Sequence, residues 1–76
     1  MNNARRKELC AIIQKIEVIQ NDLEQVRDEE QECFDNLPEG IADSERGEKF
    51  EECIDNLDSA ISSIEEAIEY INGARE

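Results

Sequence analysis

The sequence predicts an all-α protein, an antiparallel two-helix hairpin of coiled-coil type that dimerises into a four-helix bundle. Three observations predict it. Apolar residues recur at alternating three- and four-residue steps along two long segments. One strong turn signal, Leu37-Pro38-Glu39-Gly40, separates those segments. Breakers are otherwise scarce in a Glu-rich chain: 76 residues hold one Pro and three Gly. The whole of 1–76 reads as one domain, with a helix over about 3–36, a turn over 37–43 and a helix over about 44–73.

The first helix opens at Asn2 or Asn3, either of which can cap it. Its stripe runs Leu9, Ile12, Ile16, Ile19, Leu23, Val26, Glu30, Cys33 and Leu37. Leu9, Ile16, Leu23, Glu30 and Leu37 take one core position of the heptad, and Ile12, Ile19, Val26 and Cys33 the other. Ile13 and Phe34 widen the stripe on one side. Pro38 ends the helix, because the residue before a proline is pushed out of the α region.

The second helix has Asp43 or Ser44 as its N-cap and Glu45 well placed for the dipole. Its stripe is Phe50, Ile54, Leu57, Ile61, Ile64, Ile68 and Ile71, flanked every seventh position by the small residues Cys53, Ala60, Ala67 and Ala74. Gly47 in the first turns suggests fraying, and Gly73 after Asn72 suggests a C-terminal stop. A fold about Gly40 pairs positions whose numbers add to about 80. That brings Glu30 near Lys49 and Phe50, Lys15 near Glu65, and Arg5 and Arg6 towards Arg75 and Glu76.

Each stripe covers about three positions in seven, more than one neighbouring helix occupies. A second copy is the simplest extra neighbour, and C2 symmetry the commonest arrangement. A chain of this size also buries too little apolar surface to be comfortably stable alone. With no Trp, one Tyr and two Phe, the core is aliphatic.

Charge is the other strong signal. Fifteen of the 21 acidic residues and only three of the eight basic ones lie between Asp22 and Asp58, a net −12 of the chain's −13. In a hairpin this charge gathers at the turn end, about one per 2 Å of axis, close to the roughly 1.7 Å of duplex DNA. Glu24, Asp28, Glu32 and Asp35 fall on the outer face of the first helix, and Glu48, Glu52 and Asp55 on that of the second. Glu24–Asp28, Asp28–Glu32, Glu48–Glu52 and Glu51–Asp55 are like-charge i,i+4 pairs, each costing on the order of 0.2–0.5 kcal/mol. A surface made only for solubility would normally alternate Glu with Lys. A charged outer face is also the default for any exposed helix, so the acid serves either docking or solubility.

Other chemistry finds little material. No His, no Ser with a neighbouring base and no Gly-rich phosphate loop is present, so no enzyme and no cofactor is expected. Asp35 to Arg46 echoes a calcium loop with Gly40 at the sixth place. Leu37 occupies a ligand position, and Arg46 stands where the closing Glu belongs, so no metal site is predicted. Cys10 reads as a surface thiol beside Arg6 and Lys7, and Cys33 and Cys53 as core-facing fillers. Glu30, at a core position, pairs with Lys49 or Arg46 or acts as a specificity device. Arg5, Arg6 and Lys7 oppose the dipole of the first helix and either are compensated by acid near the other terminus or form a small anion-binding patch.

An odd count of three cysteines, no apolar signal core in Met1 to Lys7 and no membrane-length apolar run point to the cytoplasm, with no membrane partner. Net −13 argues against direct nucleic-acid binding and favours a basic protein partner.

Arg27-Asp28-Glu29-Glu30-Gln31-Glu32, Asn36-Leu37-Pro38-Glu39-Gly40 and Ser44-Glu45-Arg46 carry a resemblance. Over roughly residues 20–72 the chain resembles small acidic helical-hairpin proteins of gut bacteria and their phages and prophages. The resemblance implies a mobile-element origin and a bacterial host cytoplasm, and carries over no activity or site residue. Small acidic phage proteins often inhibit host defence enzymes, some by imitating DNA, which is an analogy only. The leading expectation is thus a non-enzymatic binding protein whose acidic tip docks on a basic, nucleic-acid-binding surface. The alternative is a structural or assembly homodimer.

Overall fold

The computed structural model describes all of residues 1–76 as two helices packed against each other, with no strand: α1 spans Asn3–Asp35 and α2 spans Glu45–Ala74. No helix is long and apolar enough to cross a membrane. The molecule is a rod of 58 × 15 × 11 Å. Its radius of gyration is 17.4 Å, against about 11 Å for a globule of this length.

Asn2 caps α1, its Oδ1 accepting from the Arg5 N–H at 2.8 Å. Of the cations near the start of α1, Arg6 finds a partner that the sequence did not predict. Arg6 Nε donates to the Arg75 carbonyl at 2.9 Å. In an antiparallel pair the negative end of the α2 dipole lies beside the start of α1, so a backbone carbonyl, not a carboxylate, meets the charge.

The Asn36 N–H closes α1 on the Glu32 carbonyl at 3.1 Å. The connection then turns through Gly40, at φ +88°, where a residue with a Cβ is strained. Ser44 is the N-cap of α2 by backbone geometry, but its hydroxyl donates back to the Ile41 carbonyl instead of capping.

Two expectations about glycine fail. Gly47 is buried, not frayed: a Cβ there would lie 2.6 Å from the Ala42 carbonyl carbon. The turn folds back so closely on α2 that only a hydrogen fits. Gly73 does not stop α2, which continues to Ala74 and is capped by Arg75.

The seam differs from the predicted one in half of its α1 positions. Leu9, Ile16, Leu23, Glu30 and Leu37 are half-buried as expected. The alternate positions are Ile13, Gln20, Arg27 and Phe34, one residue later than predicted. Ile12, Ile19 and Val26 remain 43%, 53% and 47% exposed, and Cys33 is exposed. On α2 the predicted stripe holds: Ile54 is buried, and Phe50, Leu57, Ile61, Ile64, Ile68 and Ile71 are half-buried.

Facing residues set the register. Phe34 and Phe50 meet with ring centroids 6.4 Å apart and planes tilted by 47°, within the favourable range for an aromatic pair. Gln20 Nε2 donates to Glu65 at 3.1 Å, so Glu65 lies opposite Gln20 and not Lys15. Large aliphatic contact is sparse. Ile13 and Ile54 are the only buried hydrophobic side chains, and even they stay 7% and 6% exposed.

Candidate protein-binding surface

The seam gives the hairpin two unlike long sides. Residues next to the Ile13–Gln20–Arg27–Phe34 row lie on one side, and residues next to the Leu9–Ile16–Leu23–Glu30 row on the other. In an antiparallel pair the corresponding flanks of both helices share a side. The contacts agree: Arg27 with Asp58, Gln20 with Glu65 and Arg75 with Cys10 all bridge the helices on the first side. A shallow groove bounded by Glu30, Arg46, Lys49, Phe50 and Cys53 marks the second.

Glu24, Asp28 and Asp35 of α1 and Glu48 and Asp55 of α2 stand on the first side. Glu32 and Glu52 sit on the outer edges. All seven are exposed. Of these seven only Asp28 has a cation within 4 Å, the Arg27 guanidinium at 3.5 Å. The others project uncompensated charge into solvent. Every acidic residue of α2, from Glu45 to Glu69, lies on this side or its edge. The opposite flank of α2 carries Arg46, Lys49, Cys53, Asn56, Ala60, Ser63, Ala67, Tyr70 and Ala74, with no acid among them. On α2 the acid is therefore concentrated along one side as well as at one end, whereas α1 also carries Glu8, Asp22 and Glu29 on the other flank.

Arg27 is the functional-looking residue that the sequence reading missed. Its Nε donates to Asp58 Oδ1 at 2.8 Å and its Nη2 to Oδ2 at 3.5 Å. Its side chain is 28% exposed. The hydrogen bond to Asp58 raises its pKa above the ordinary guanidinium value, outweighing the opposing effect of burial. The fork-to-carboxylate contact ties the helices together in mid-rod. The available signal was the row Ile13, Gln20, Arg27, Phe34 at seven-residue spacing, apolar at both ends and polar in the middle.

Glu30 lies where predicted, half-buried near Lys49 and Phe50, but it forms no ion pair within 4 Å: the only salt bridges are those of Arg27. Replacing Glu30 by leucine is expected to raise the melting temperature, gaining on the order of 1 kcal/mol from apolar contact with Phe50. Thermal denaturation followed by circular dichroism measures it. A lower melting temperature would mean that Glu30 stabilises the Arg46–Lys49 cluster at longer range.

The cysteines also differ from expectation. Cys10 is half-buried and touches the Arg75 guanidinium, while Cys33 and Cys53 are exposed and fill no core. No group of three or more Cys, Asp or Glu side chains is arranged to hold a metal ion. No protein-family model, curated protein or solved structure matches this chain.

Proposed function

We propose that the hairpin is a non-enzymatic binding protein of phage or mobile-element type, acting as a homodimeric four-helix bundle in a bacterial cytoplasm. Its acidic side docks on the basic, nucleic-acid-binding surface of another protein. The consequence is inhibition of a host defence or DNA-binding protein by imitation of a nucleic-acid backbone. One observation carries the reading: six of the seven outer carboxylates near the turn have no cation within 4 Å. These carboxylates keep like-charge spacings that oppose helix stability, each by about 0.2–0.5 kcal/mol. A basic target relieves that repulsion on docking.

Host proteins retained by the immobilised hairpin at low ionic strength supply the candidates, and each is then purified and tested with duplex DNA. The expected result is a protein whose DNA binding the hairpin blocks, and which duplex DNA displaces from the hairpin in turn. Affinity should fall at least tenfold between about 50 and 300 mM salt, because exposed charges are screened over a Debye length of about 8–10 Å near 0.1–0.15 M. Complexes indifferent to salt and to DNA overturn the mimicry reading.

The exposed row Ile12, Ile19 and Val26 favours a second reading, a structural or assembly dimer in which the acid serves solubility. Apolar association persists at high salt, and the same titration separates the two.

A further inference from the structure

We propose that the side opposite the acid is the dimer interface, and that the two hairpins pair across it antiparallel, with their turns at opposite ends. The inference rests on the homodimer reading above and assigns its face and orientation.

The seam itself points to a missing neighbour. The hairpin places Gln20 and Arg27 between its helices and leaves Ile19 and Val26 out, at 53% and 47% exposure. A hairpin folded for its own sake gains more from the reverse choice. Ile12, Ile19, Val26 and Cys33 form a straight row three heptads long, and the row facing it on α2 is Cys53, Ala60, Ala67 and Ala74. Small side chains there leave room for a neighbouring helix to approach.

The area fits a second copy. The chain exposes 5733 Å², where the mass scaling for a compact monomer of 8.7 kDa gives about 4,700 Å². The excess, about 1,000 Å², matches the roughly 800 Å² that each partner of a standard interface buries.

Charge selects the orientation. The stretch from Asp22 to Asp58 carries −12. Pairing the hairpins turn to turn would stack two such ends. Antiparallel pairing puts the two turns at opposite ends of a 58 Å rod, so that the two stretches adjoin only at Asp22, near mid-rod, and most of their charge lies beyond a Debye length of about 8–10 Å. It also lays each acidic end along the copy's terminal half, which holds Arg5, Arg6, Lys7, Lys15 and Arg75, five of the eight basic residues. A two-fold axis midway between Ile19 and Val26 then sets Ile19 against Val26 of the second copy and Ile12 against its Cys33. The acidic flank of α2, with Glu24, Asp28 and Asp35 of α1, faces outward in both copies, so the dimer offers two docking surfaces at opposite ends.

Two measurements test the face and the orientation separately. Ile12→Gln, Ile19→Gln and Val26→Gln together should weaken dimerisation at least a hundredfold by light scattering while leaving helicity intact, since all three side chains are exposed in the hairpin. For orientation, Ile12→Cys is made in a chain also carrying Cys10→Ser and Cys53→Ser, then treated with diamide. The introduced thiol and Cys33 of the same chain are roughly 31 Å apart along α1, so any disulfide between them joins two chains. A covalent dimer that needs both thiols is expected. The parent chain tests the rival orientation: turn-to-turn pairing brings Cys33 beside Cys53 of the second copy. A parent covalent dimer abolished by Cys33→Ser or Cys53→Ser, with none from the introduced thiol, overturns the orientation. A triple Gln variant that stays dimeric overturns the face but not the homodimer. A fully helical parent that is monomeric at high micromolar concentration overturns both.

Discussion

Reversing Asp28, Glu32, Glu52 and Asp55 together to lysine is expected to abolish docking on a basic target and leave the hairpin folded. All four side chains are exposed, and only Asp28 has an ion-pair partner. Folding loses little, because Glu24, Glu48 and Glu51 each gain a lysine four residues on, in the favourable Glu-to-Lys order. Binding loses much. Like charges juxtaposed across an interface cost several kcal/mol, and about 3 kcal/mol already exceeds a hundredfold in affinity. The matched control reverses Glu17, Glu66 and Glu69, exposed side chains in the terminal half of the rod. Glu65 stays in place because it accepts from Gln20. Circular dichroism checks the fold and titration against the purified target checks the affinity. A tip variant that binds and inhibits as well as the parent reduces the acid to a solvated surface.

Replacing Gly47 by alanine is expected to destabilise the hairpin by about 1–3 kcal/mol, the usual range for forcing an extra carbon into a filled space. Helix propensity alone predicts the opposite sign, since alanine exceeds glycine by about 1 kcal/mol inside a helix. The contact decides the outcome: the new carbon would press on the Ala42 carbonyl, which is backbone and cannot swing aside. In a domain this small each kcal/mol moves the melting temperature by about 4–8 °C. Gly73→Ala is the internal control. Gly73 lies within α2, its φ is not positive, and nothing approaches its added Cβ within 4 Å. That variant should be stabilised by up to about 1 kcal/mol. Equal stability of the two variants would mean that the turn does not fold against the first turns of α2.

Two helices, the α2 stripe, one of the two α1 rows and the turn between the helices were legible in the residues, because a heptad repeat and a Pro–Gly break are local signals that survive without knowledge of any neighbour. The acidic outer positions were legible for the same reason: residues opposite an apolar stripe face water whichever helix packs on it. The choice between two flanks was not legible. The rows Ile12–Ile19–Val26–Cys33 and Ile13–Gln20–Arg27–Phe34 share one period and differ by a single residue of phase. Periodicity cannot separate them, and only the position of α2, with Phe50 against Phe34 and Asp58 against Arg27, makes the choice. Cys33 and Cys53 moved from core to surface with that phase. Gly47 and Gly73 show the same division: both are helical glycines to the chain, and the Ala42 carbonyl, brought near by the turn, makes one of them indispensable and leaves the other free.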